Sequence, residues 1–135
     1  LGGCADDRAV KPLIAALADP ENEVRWVAAQ ALGKLCDGQA VEPLLPLLTD
    51  PDRWVRRGAA WSLGEICDMR AVEPLLLLLT DKKKDVRVAA VEALGKLRDA
   101  QAAAPLSTAL EAEEEPEVRT AIRRALRDIT GETGF

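Results

Sequence analysis

The sequence predicts an all-α solenoid of about four stacked two-helix repeats with a 31-residue period, preceded by the partial last helix of another unit. Three observations carry this. The string from Asp37 to Leu44 (DGQAVEPL) recurs 31 residues earlier, from Asp6 to Leu13, and 31 residues later, from Asp68 to Leu75. Val24-Arg25, Val55-Arg56 and Val86-Arg87 keep the same interval and open alanine-rich runs that end at Leu32-Gly33, Leu63-Gly64 and Leu94-Gly95. A weaker fourth copy, Asp99 to Leu106 and then Val118-Arg119, follows with one inserted residue in an acidic loop. Periods of this length mark units that cannot bury their own apolar faces and must stack.

The expected units are residues 6–36, 37–67, 68–98 and 99–130, with 131–135 as a tail. Leu1-Gly2 aligns with Leu32-Gly33, so residues 1–5 read as the end of a preceding repeat and the chain as a piece of a longer protein. Each unit opens on an aspartate suited to cap a helix, with Pro12, Pro43, Pro74 or Pro105 close behind, where a missing N–H costs least. Leu13, Ile14 and Leu17, and their equivalents Leu44, Leu45, Leu48 and Leu75, Leu76, Leu79, form a buried helical face. The second helix starts after Asp19-Pro20, after Asp50-Pro51 and after the lysines 82–84. In the second unit its core stripe is Val55, Ala59, Ser62, Leu63 and Ile66. The fourth unit puts Ser107, Arg123 and Arg127 where the others carry apolar or small residues, which suits a polar cap on the stack.

These residues resemble HEAT-like repeats of the phycobilisome-lyase type, with Asp-x-Arg-Ala-Val-x-Pro-Leu opening the unit and Val-Arg-x-x-Ala-Ala followed by Leu-Gly closing it. The likeness spans the first three units nearly end to end and the fourth in outline. Cys36 and Cys67 stand where such repeats usually have glycine. The resemblance implies an armadillo-like scaffold that binds proteins. It also takes in bilin lyases, which attach a chromophore, so a lyase-like or chaperone subunit is an alternative. HEAT-like DNA glycosylases, which use concave tryptophans on DNA, are a further relative. Deoxyhypusine hydroxylases share the repeat but hold iron through His-Glu pairs.

Composition narrows this list. The chain has no histidine, which removes His-based nucleophile systems, HExxH-type metal motifs and the hydroxylase iron site. A net charge of −5, from 18 basic and 23 acidic residues, argues against nucleic acid as a partner. No apolar run approaches the roughly 20 residues of a membrane span. Three cysteines without a CxxC pair suit a reducing, cytoplasmic setting, and Cys36 and Cys67 on stacked units are expected to remain thiols. No cofactor and no metal is expected. A monomer, or continuity with further repeats, is expected. The near-perfect register would also suit an engineered array, but Pro46, the cysteines and the degraded fourth unit favour a natural sequence.

The candidate site is a set of aromatic and charged residues on the second helices, which line the concave surface in solenoids of this kind. Trp54 and Trp61 are seven residues apart, within about 20° of each other around a helix. Glu65 continues that stripe and Arg57 lies beside it. Trp26 is the 31-residue equivalent of Arg57, in a row that continues to Val88 and Thr120. Gln30, Trp61, Glu92 and Arg124 form the next row. These positions vary between units while the core stripes do not, and tryptophan with arginine is the pairing most enriched at binding hot spots. The expected site is therefore Trp26, Gln30, Trp54, Arg57, Trp61, Glu65 and Glu92, non-enzymatic and receiving a protein or peptide. The repeated Arg25, Arg56, Arg87 and Arg119 accompany equally regular Asp19, Asp50 and Asp81, and read as an ion-pair ladder of the fold.

Overall fold

The computed structural model describes residues 7–132; Cys4, Asp6, the expected N-terminal partial helix and the last three residues of the tail lie outside that range. Four helix pairs follow one another: α1 (Val10–Ala16) with α2 (Asn22–Leu35), α3 (Val41–Leu44) with α4 (Arg53–Ile66), α5 (Val72–Leu77) with α6 (Lys84–Leu97), and α7 (Ala103–Ala112) with α8 (Pro116–Thr130). The long even-numbered helices lie side by side in chain order, and each odd-numbered helix packs beside its own partner. The all-α solenoid is thus present, with no strand among the described residues.

The opening helix of each unit is more broken than its leucine spacing suggests. A 3₁₀ turn comes first, at Asp7–Ala9, Gly38–Ala40, Met69–Ala71 and Ala100–Ala102. The carboxylates of Asp37, Asp68 and Asp99 each accept the N–H two residues on, at 2.8–2.9 Å, so the aspartates cap the 3₁₀ turn rather than the α-helix. In the second unit only α3's single turn is α-helical before a 3₁₀ segment, Leu45–Thr49, takes over. Pro46 lies in that segment; it has no N–H to give to the carbonyl four residues back.

The core is a set of ladders with one rung per unit. Val10, Val41 and Val72, then Leu44, Leu75 and Leu106, then Leu32, Leu63, Leu94 and Leu126, are each at most 2% exposed. Burial of one such side chain stabilises by about 1.5–3 kcal/mol. Ser62, the buried polar side chain at the α2–α4 contact, donates its hydroxyl to the Ala29 carbonyl and so meets no penalty for an unsatisfied group.

Close approach of the long helices depends on glycine. A Cβ on Gly33 would lie 2.8 Å from Cα of Ser62, and one on Gly64 would lie 2.8 Å from Cα of Ala93. At Gly95 the gap to Cα of Ala125 is looser, 3.3 Å. Residues 33, 64 and 95 therefore have to be small, and so do the 62, 93 and 125 positions they meet.

The repeated arginines tie neighbouring units together. Arg25 reaches Asp50 through two hydrogen bonds of 3.0 and 3.2 Å, and Arg56 reaches Asp81 at 2.9 and 3.2 Å. The third guanidinium nitrogen returns to the carbonyls of the loop in its own unit, Asp19 and Pro20 for Arg25, Asp50 and Pro51 for Arg56. The third rung departs from the aspartate pattern: with one residue inserted in the loop, Arg87 is met by Glu113 at 2.9 and 3.1 Å. Each acceptor carboxylate also takes an N–H from two residues further on. The partners are mostly buried, side chains 14–17% exposed for the arginines and 8–9% for the acids, a geometry that fixes register better than it adds stability.

The long helices end in left-handed residues. Cys36, Cys67 and Arg98 have φ of 57°, 60° and 54°, and Gly131 closes α8 at 75°. This gives the cysteines at glycine positions their structural meaning: they are the helix-terminating residues, and they bear the steric cost of a Cβ there. Their thiols turn to main-chain carbonyls, Cys36 to Gly33 and Glu65, Cys67 to Lys96.

Gly33→Ala and Gly64→Ala should each destabilise by about 1–3 kcal/mol, because the clash outweighs the helix-propensity gain of about 1 kcal/mol. Gly95→Ala, with more room, should fall near neutral; urea midpoints that rank Gly95 as the costliest site would contradict the seam. For the ladder, burial pushes the Glu113 carboxyl up, but hydrogen bonds from Arg87 and the Glu115 N–H, with the Arg87 charge, bring it below the ordinary glutamate value. A carboxyl whose folded pKa is depressed stabilises fully above its unfolded value of about 4.3, and that contribution drains away as pH falls through the folded value. Stability lost on Glu113→Gln should therefore be constant between about pH 7 and 5.5 and shrink in acid below about pH 4.

Candidate functional site

The groove-facing residues come from equivalent turns of the long helices. In the first turn the row is Glu23, Trp54, Asp85 and Glu117; α2, α6 and α8 place a carboxylate there, where it faces the positive end of the helix, and α4 alone places a tryptophan. One turn on come Trp26, Arg57 and Val88, and then Gln30, Trp61 and Glu92. Together with Gly58 and Ala89 these side chains line a groove of about 950 Å³ across α2, α4 and α6, with Glu117 of α8 at its edge.

Six of the seven residues expected from the sequence line this groove: Trp26, Gln30, Trp54, Arg57, Trp61 and Glu92. Glu65 does not. It lies one turn beyond Trp61 and is held by the Lys96 ammonium, whose nitrogen also sits 6.0 Å from the centre of the Trp61 ring. It follows Trp61 along α4, but Lys96, one unit on, draws it into a pair outside the groove. The sequence reading missed Glu23, Asp85 and Glu117, although the 31-residue offset from Trp54 points to all three once the extra residue of the fourth unit is allowed for.

The three rings are held differently. Trp54 is 46% exposed, with the Arg53 guanidinium 5.0 Å and that of Arg57 5.5 Å from its centre. Arg53 in turn approaches Asp85 at 3.6 Å. Trp61 is half-buried because Gly33 leaves room for it: a Cβ there would come 2.8 Å from the ring atom Cζ3. Trp26 is also half-buried, and it packs against the hydrophobic core, so it is more of a core residue than its variable row suggests. Gly58 sits beside it, 3.7 Å from the Trp26 carbonyl measured at a notional Cβ, and keeps the floor of the groove low.

Charge is spread unevenly. Lys84 bonds Glu117 at 2.7 Å and approaches Glu115 at 3.8 Å; the bond to Glu117, its charge and that of Glu115 raise the Lys84 ammonium above its ordinary value. Glu117 is thereby partnered, and Asp85 is met by Arg53. Glu23 and Glu92 make no ion pair among the described residues, and Arg57 makes none beyond its contact with Trp54. No three Cys, Asp or Glu side chains among the described residues converge as metal ligands.

The model of HEAT repeats matches residues 1–50 and 41–127. The chain belongs to the HEAT repeat family. A chain of the CpcE–CpcF complex of phycocyanin lyase from a Nostoc species is 31% identical over 94% of this chain, with a TM-score of 0.83. Human deoxyhypusine hydroxylase is 25% identical over 93%, with a TM-score of 0.77, and an engineered protein is 26% identical over 94%, with a TM-score of 0.70. The chain spans 55% of the lyase chain, 44% of the hydroxylase and 68% of the engineered protein. No curated protein matches the sequence. No helix among the described residues is long and apolar enough to cross a membrane.

Unequal burial makes the tryptophans separable in solution. Trp54→Phe should remove most of the acrylamide-quenchable emission and shift the remainder to the blue, while Trp26→Phe should leave the quenchable fraction in place. Equal quenching of all three rings would contradict this arrangement.

Proposed function

We propose that this chain is a non-enzymatic interaction module that holds a protein or peptide segment in the tryptophan-lined groove of its long helices. The observation that carries the reading is the groove itself: three of the four aromatic residues of the sequence line one depression. A partly open ring such as Trp54 buries much area at little entropic cost when covered, and half-buried neighbours give it a rigid surround. Units 6–36, 37–67 and 68–98 supply the groove, and unit 99–130 supplies its edge and a polar end to the stack. The setting proposed is a reducing, cytoplasmic one.

A specific observation favours a second reading. The phycocyanin lyase chain is 31% identical over nearly the whole of this sequence, and flat rings beside Arg57 would suit a tetrapyrrole with carboxylate arms. On that reading the chain handles a chromophore as part of a larger lyase or chaperone assembly.

Random peptides displayed on phage and selected on the wild-type chain test the first reading. Replacing both Trp54 and Trp61 by Ala should weaken the selected peptides at least tenfold while the helical circular dichroism is unchanged. Undiminished binding would move the site elsewhere. Titration with a free bilin tests the second: a red shift and sharpening of its absorbance, lost in the same double variant, would favour chromophore handling over peptide binding.

A further inference from the structure

Resting on the groove reading, the unpaired charges specify what kind of segment fits. We infer that the groove takes an extended protein segment carrying two basic side chains about six residues apart, one meeting Glu23 and the other Glu92. Both carboxylates are exposed, and neither has an ion-pair partner among the described residues, whereas Asp85 and Glu117 are already met by Arg53 and Lys84. They stand on opposite sides of the aromatic floor, Glu23 in the first turn of α2 and Glu92 near the middle of α6, two helices away.

The spacing follows from helix geometry. Two helix-to-helix steps of about 8–10 Å separate the carboxylates laterally. Two turns, about 10 Å of rise, separate them along the helices. The diagonal is roughly 20 Å, which an extended chain at about 3.3 Å per residue covers in six residues. Such a segment crosses Trp26 and Trp61, whose faces suit the aliphatic stems of lysine or arginine. Arg57 lies midway with its guanidinium along Trp54; its remaining N–H groups can donate to main-chain carbonyls of the crossing segment, so its charge does not demand an acidic partner.

Four synthetic peptides of about ten residues with a common alanine–leucine centre decide the matter, read by tryptophan emission and calorimetry at low and high salt. One carries lysines six apart, one lysines two apart, one glutamates six apart and one glutamines six apart. The first should bind best and the glutamate peptide worst. Glu23→Gln and Glu92→Gln should each weaken the first peptide about two- to fivefold, the loss shrinking at high salt. Those substitutions should leave the glutamine peptide unaffected. Equal affinity for the two lysine spacings, or insensitivity to both substitutions, overturns the basic-segment inference and leaves the groove reading standing if Trp54→Ala with Trp61→Ala still abolishes binding. Binding of the lysine peptide that survives that double variant overturns the groove reading itself. No measurable binding of any of the peptides at millimolar concentration overturns the inference outright.

Discussion

The structure depends first on how closely its long helices approach. At Gly33 and Gly64 the distance between neighbouring helices is set by backbone meeting backbone, since the atoms a Cβ would strike are Cα of Ser62 and of Ala93. Contact at this range gives dense packing with little side-chain entropy lost, but it leaves no slack. Each helix is therefore fixed in rotation and height against the next. That fixity makes the outward rows predictable: once Gly33 faces Ser62, Trp61 must lie across the same seam, and the rows carrying Trp26 and Arg57 must sit beside each other.

The arginine ladder acts on the same register from the loop end of each unit. Its rungs run from one unit to the next, and each guanidinium also satisfies carbonyls in its own loop, so a single side chain holds two loops at once. The fourth unit shows how far this tolerates change. The loop there has one extra residue, and the acceptor is a glutamate in place of the aspartate. Glu113, one methylene longer, accepts both Arg87 hydrogen bonds and still takes the Glu115 N–H. The geometry of the rung is preserved although its chemistry in the sequence is not, which explains why the ladder is visible by eye only as far as Asp81.

Periodicity made legible whatever repeats: the two-helix units, the leucine ladders, the buried Ser62 and the rows of the groove. It failed where a residue's role is set by backbone conformation or by a neighbour one unit away. Cys36 and Cys67 are unremarkable as cysteines; their left-handed φ identifies them as the glycine-like ends of α2 and α4. Pro46 breaks the repeat in the sequence, and in the structure it accompanies the change from α-helix to 3₁₀. Glu65 shares the stripe of Trp61, yet Lys96 of the following unit claims it. Trp26 occupies a variable row and still packs on the core, with Gly58 opposite, where a Cβ would come no nearer than 3.7 Å to it.

That last pair shows how a groove arises on so regular a scaffold. The seam glycines are repeated in three units and set the spacing, whereas Gly58 occurs in one unit only and leaves that stretch of the groove without a side chain. A small residue in the row next to the tryptophans lowers the floor without disturbing the helix contacts on either side. The rings then stand around the depression instead of filling it. In a repeat fold each helix is held by its neighbours along its core face and is free to vary on the face it turns outward. Here the variation is not scattered: one added glycine, one tryptophan in place of a first-turn carboxylate and one arginine in place of Trp26 or Val88 all fall on α4. A single helix thus turns a uniform face into a shaped one, and its neighbours add Trp26 and the carboxylates of the groove.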